Sequence, residues 1–92
     1  MSVEKIPRFR PPYPFEEYRF EIRSLSQAEG GGFLISFPDL PGCISDGETI
    51  SEAVKHGKEA FQSWVSARLH DRLPVQEPSR HEERTLDAYS GR

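Results

Sequence analysis

Apolar and polar positions alternate along two stretches of this chain and then change period once. Tyr18, Phe20 and Ile22 alternate with Arg19, Glu21 and Arg23. That is the two-residue period of a strand with one side buried. Phe33, Ile35 and Phe37 alternate with Leu34 and Ser36 in the same way. Between them, residues 26–32 end in Gly30-Gly31-Gly32, which are free to take positive φ. Two alternating runs joined by a short glycine-rich loop predict an antiparallel hairpin. Pro38 ends the second run because it has no N–H to give a ladder, and Pro41-Gly42 turns the chain. Residues 43–46 form a short third strand, and Asp46-Gly47 reads as a turn pair.

From Ile50 the period becomes three to four. Ile50, Ala53, Val54, Gly57, Ala60, Phe61, Trp64, Val65 and Arg68 make one stripe of a helix over residues 50–69. Thr49 is its N-cap, with Glu52 at the capping-box spacing. Gly57 lies on the stripe, where it costs about 1 kcal/mol relative to Ala, so a close approach of helix to sheet is expected there. Residues 73–78, LPVQEP, are too short for a helix, and Val75 is placed on a brief fourth edge strand. The expected fold is α+β, in the order β-β-β-α-β. A three-stranded antiparallel meander carries one helix on a face, with the fourth strand reached by a right-handed crossover.

Three segments follow. Residues 1–14 hold Pro7, Pro11, Pro12 and Pro14 and read as an extended, flexible arm. Residues 15–78 are the folded domain. Residues 79–92 are polar and read as a disordered tail, with room for a short helix. Ninety-two residues allow one small domain with a modest core, so self-association as a dimer or tetramer is expected. No apolar run approaches the roughly 20 residues that cross a membrane, no secretory signal is visible, and a single cysteine makes no internal disulfide. A cytoplasmic protein is expected.

Charge sharpens this picture. Residues 1–12 carry three basic side chains against Glu4, whereas residues 13–78 carry six basic against eleven acidic. An acidic domain is repelled by nucleic-acid phosphate and suits a basic partner.

Residues 30–54, GGGFLISFPDLPGCISDGETISEAV, resemble the signature of the HicB-like antitoxin family. The SFPDLPGC run and the DGET turn before the helix carry the likeness, which extends over residues 18–78. It implies the same element order, described for that family as a partial RNase H-like fold. It also implies an antitoxin that binds and blocks a HicA toxin, a small basic protein that degrades mRNA. Many members carry a DNA-binding domain after the α/β part. The fourteen residues after Pro78 are too few for one, so DNA binding by this chain alone is not expected.

Enzyme chemistry is hard to assemble. Two-metal nucleases need convergent carboxylates, and Glu21, Asp46, Glu52, Glu59 and Glu77 fall on different faces and elements. Cys43 has no histidine near it in sequence, and His70 and His81 are not at a metal-ligand spacing. No catalytic residue, metal ligand or cofactor is assigned. The partner surface is placed at Asp39, Leu40, Asp46 and Glu48, with Leu40 read equally as an exposed contact or as a core residue. Two other functions stay open: an RNase H-like, metal-dependent RNA-processing enzyme, and an orphan oligomeric interaction domain.

Overall fold

The structure, a computed structural model, describes residues 6–79. The expected tail falls almost wholly outside them. Three strands and one helix form the domain: β1 (Glu21–Ser24), β2 (Phe33–Ser36), β3 (Ile44–Gly47) and α1 (Ile50–His70). The sheet is antiparallel in the order β1-β2-β3, with Ile22 opposite Ile35 and Leu34 opposite Asp46. The β1–β2 loop needs its glycines: Gly30, Gly31 and Gly32 have φ of 109°, 74° and 79°, a region that L side chains rarely enter. Ahead of them, Ser26 and Glu29 close a reciprocal capping box around one 3-10 turn.

The helix lies over β3 and β2 and barely reaches β1. Ala53, Gly57, Phe61 and Val65 are buried against Ile35 and Phe37. Gly57 is the close approach expected from the sequence. A Cβ there would stand 2.7 Å from Cδ1 of Ile35. Gly47 makes a second one that the sequence did not announce, since a Cβ on it would meet the Ala53 nitrogen at 2.5 Å. This contact corrects the reading of Asp46-Gly47 as a turn. Both residues belong to β3, with Gly47 opposite Phe33, and the chain bends only at Glu48 and Thr49. Without a side chain at position 47 the ladder can run on beneath the first turn of α1.

The fourth strand does not form. Pro74 and Pro78 have no N–H to offer a ladder. Two carbonyls of the segment are taken by side chains instead: Arg68 donates to Pro74 O at 2.9 and 3.0 Å, and the Tyr18 hydroxyl donates to Gln76 O at 2.5 Å. The order among the described residues is therefore β-β-β-α, which does not by itself establish the RNase H-like relationship. Residues 6–14 form no helix or strand, and Phe9 lies against α1. The Phe9 N–H donates to Oγ of Ser66 at 3.0 Å, and the Gln62 amide donates to Phe9 O at 2.8 Å.

Candidate partner-binding surface

Main-chain direction in β3 decides what this side of the domain offers. The Phe37 N–H donates to Cys43 O at 3.2 Å. Backbone groups alternate along a strand, so Cys43, Ser45 and Gly47 face β2, and Ile44, Asp46 and Glu48 face outward. Two of those outward groups are occupied. Asp46 O accepts from Nδ1 of His56 at 2.7 Å, and the Glu48 N–H donates to the Glu52 carboxylate at 2.6 Å. A carbonyl only accepts, so His56 holds its proton on Nδ1 there. Thr49 accepts from the Glu52 N–H at 3.0 Å, as an N-cap should. The Glu52 side chain reaches one residue past the reciprocal partner expected of it, to Glu48 rather than Thr49.

Asp46 and Glu48 are both exposed. With Glu52, His56 and Gly30-Gly31 they line one shallow open depression. Three carboxylates there give a patch of negative potential that a basic surface can meet. Asp46 also belongs to the sheet face turned away from α1. That face carries Glu21 and Arg23 from β1, Leu34 and Ser36 from β2, and Ile44 and Asp46 from β3. Ile44 is 55% exposed on it, an apolar contact beside the acids.

The other two residues singled out from the sequence do not join this patch. Asp39 sits in the loop between β2 and β3, beyond the opposite end of β3. Its carboxylate accepts from the Ser79 N–H at 2.8 Å, and with Glu77 it lines a separate depression. Leu40 is fully buried, and the structure takes the core reading of it. Its N–H donates to Phe37 O and its carbonyl accepts from the Cys43 N–H, both at 2.9 Å, in a tight corner that turns the side chain inward.

Among the described residues, no three His, Cys, Asp or Glu side chains gather to hold an ion. Burial pushes the Cys43 thiol up to about 11, so it stays protonated and unreactive at neutral pH. Sequence reasoning missed the Gln62–Ser66 pair that binds the Phe9 backbone. Its one signal was a pair of polar residues four apart beside the apolar stripe, and Ser66 is only 5% exposed.

A family model described as the HicB_like antitoxin of bacterial toxin-antitoxin system matches residues 21–91. The chain is 43% identical over 49 residues to an uncharacterized 14.9 kDa protein of Haemophilus phage HP1, covering 51% of this chain and 37% of that one. It is 32% identical over 56 residues to Antitoxin HicB of Escherichia coli K12, covering 61% and 41%. A UPF0150 protein of Thermoplasma acidophilum is 29% identical over 52 residues, covering 54% and 75%. The chain thus spans about two fifths of the length of the first two relatives. No helix among the described residues is long and apolar enough to cross a membrane.

Proposed function

We propose, from the premise that this chain belongs to the HicB-like antitoxin family, that it neutralises a small basic HicA-like toxin that degrades mRNA. In this reading it is a cytoplasmic binding protein with no catalysis of its own. The family match over residues 21–91 carries the proposal. The charge distribution supports it, because an acidic domain attracts a protein built to hold RNA phosphate. Asp46 and Glu48 stand in for phosphates on the toxin's basic surface, with Glu52 behind them and Ile44 as the apolar neighbour. Asp39 belongs to a second, smaller contact at the far end of β3. Leu40 contributes only by holding that corner in shape.

The test is a calorimetric titration of a HicA-like toxin against the full chain and against Asp46→Lys/Glu48→Lys. The double reversal should weaken binding by about tenfold or more, through both lost attraction and new repulsion. It should also lower the dependence of affinity on salt. Asp39→Lys should have the smaller effect. Unchanged affinity in the double variant removes the surface from this place.

A further inference from the structure

The acidic depression at the start of α1 holds one group whose charge is not fixed. His56 lines it together with Asp46, Glu48, Glu52 and Gly30-Gly31. The ring is half-buried, and its Nδ1–H is spent on Asp46 O at 2.7 Å. Nε2 is then the ring atom left with a lone pair. A proton taken up from solvent goes to Nε2 and leaves the bond to Asp46 intact. The imidazole can therefore change its charge without changing its place.

Each element against the ring brings its own charges. β3 brings the Asp46 carboxylate, and the bend after it brings Glu48. On α1, Glu52 lies one turn before His56 and Glu59 nearly one turn after, with Lys55 beside it in sequence. Glu52 is anchored by the Glu48 N–H at 2.6 Å. The β1–β2 loop approaches through Gly30 and Gly31, which carry no charge, and Glu29 ahead of them is tied to Arg23 at 3.3 Å. Carboxylates thus outnumber cations around the imidazole.

We propose that His56 is a proton-operated control on this patch: neutral, it leaves the carboxylates to hold a basic partner, and protonated at Nε2 it sets a cation among them and loosens that hold. The inference rests on the reading of Asp46 and Glu48 as the toxin contact and adds how that contact responds to acid. Histidine can be told apart from its neighbours here. An imidazole changes charge between about pH 5 and 8, whereas carboxylates in water titrate near pH 4. Linkage gives the sign. A basic partner disfavours a cation beside it, so the complex binds fewer protons than the free chain. Affinity then falls as pH falls, and docking expels a proton from His56.

Calorimetric titrations of a HicA-like toxin at about pH 8 and about pH 5.5 test this, with the full chain, His56→Asn and His56→Lys. The amide nitrogen of an asparagine stands where Nδ1 stood and can donate to the same carbonyl, but it does not titrate. Circular dichroism checks that each variant folds, and amide exchange around Asp46 checks that the asparagine keeps the bond. Between the two pH values the unaltered chain should lose about three- to fivefold more affinity than His56→Asn. Taking that difference removes any titration that belongs to the toxin. His56→Lys carries a fixed charge and should bind more weakly than His56→Asn by a similar factor already at the higher pH. Titrations near neutrality in two buffers of different ionisation enthalpy read the proton itself, and the unaltered chain should release more of it than His56→Asn.

Equal pH dependence in the unaltered chain and His56→Asn overturns the proposal, and so does a His56→Lys chain that binds as tightly as His56→Asn at the higher pH. Asp46→Lys/Glu48→Lys, titrated beside them, keeps two failures apart. If that variant binds weakly while His56→Asn follows the unaltered profile, the surface stands and the proton control falls. If neither set of variants changes the affinity, the surface is misplaced and both readings fall.

Discussion

The two margins of this small sheet are finished by different means. At β3 the outward carbonyl of Asp46 and N–H of Glu48 are held by His56 and Glu52, both from the first two turns of α1. At β1 no side chain among the described residues bonds the outward groups of Ile22 and Ser24, and the helix barely reaches them. One helix therefore does two jobs where it lies, closing the core and sealing the edge beside it. A single helix cannot do both jobs for three strands at once.

The largest effect is expected where helix and strand come closest. Gly47→Ala places a methyl against the backbone of Ala53, and backbone gives way less readily than a side-chain tip. Urea unfolding should show a loss of about 3 kcal/mol, with β3 and α1 forced apart. If the loss is only a few tenths, β3 and α1 are not locked together there and the contrast between the margins weakens.

Tyr18 tests the other side. Burial chiefly, with Tyr13 and Asp39 adding, pushes its hydroxyl up to about 12. Its folded pKa thus lies above the unfolded value near 10. The resulting stability is fully present below pH 10 and is lost as pH rises through 12, amounting at most to about 3 kcal/mol. Tyr18→Phe should cost about 1 kcal/mol at neutral pH through the lost bond to Gln76 O. It should also lack this alkaline loss, so the stability curves of the two proteins cross between pH 10 and 12 in urea titrations.

The smallest effect is expected at the seal on β3. His56→Ala leaves Asp46 O to water and should cost about 1 kcal/mol or less, because that carbonyl is near the surface. The amides around Asp46 should exchange faster in the same variant. Unaltered exchange means that the histidine does not guard that edge.

Much of this arrangement was legible in the amino-acid order. Alternation gave the β1–β2 hairpin, Thr49 gave the start of α1, and Gly57 gave the close approach to Ile35, because each rests on contacts with a fixed local spacing. The edge strand expected at Val75 failed for a reason written in its neighbours: Pro74 and Pro78 deprive it of donors, and two of its carbonyls are claimed by Arg68 at the end of α1 and by Tyr18 from far along the chain. Asp-Gly commonly makes a turn, and on that ground the sequence predicts one at Asp46. Here the absent Cβ of Gly47 serves packing against Ala53 instead. Of the four surface candidates, Asp46 and Glu48 come together, Asp39 stands apart and Leu40 is interior. Whether Leu40 folds in or points out depends on a tight corner whose hydrogen bonds leave no periodic trace.

The Gln62–Ser66 clamp on Phe9 reads only peptide groups. Any residue except proline at position 9 can supply the same N–H and carbonyl, so the leading segment can change its side chains and still follow the same path along the helix. Arg8 and Arg10 flank the pinned residue, two positions apart, and so ride at a separation of about 7 Å. A stretch that composition marks as loose becomes a ruler for two positive charges, and its length is set by a glutamine and a serine more than fifty residues away.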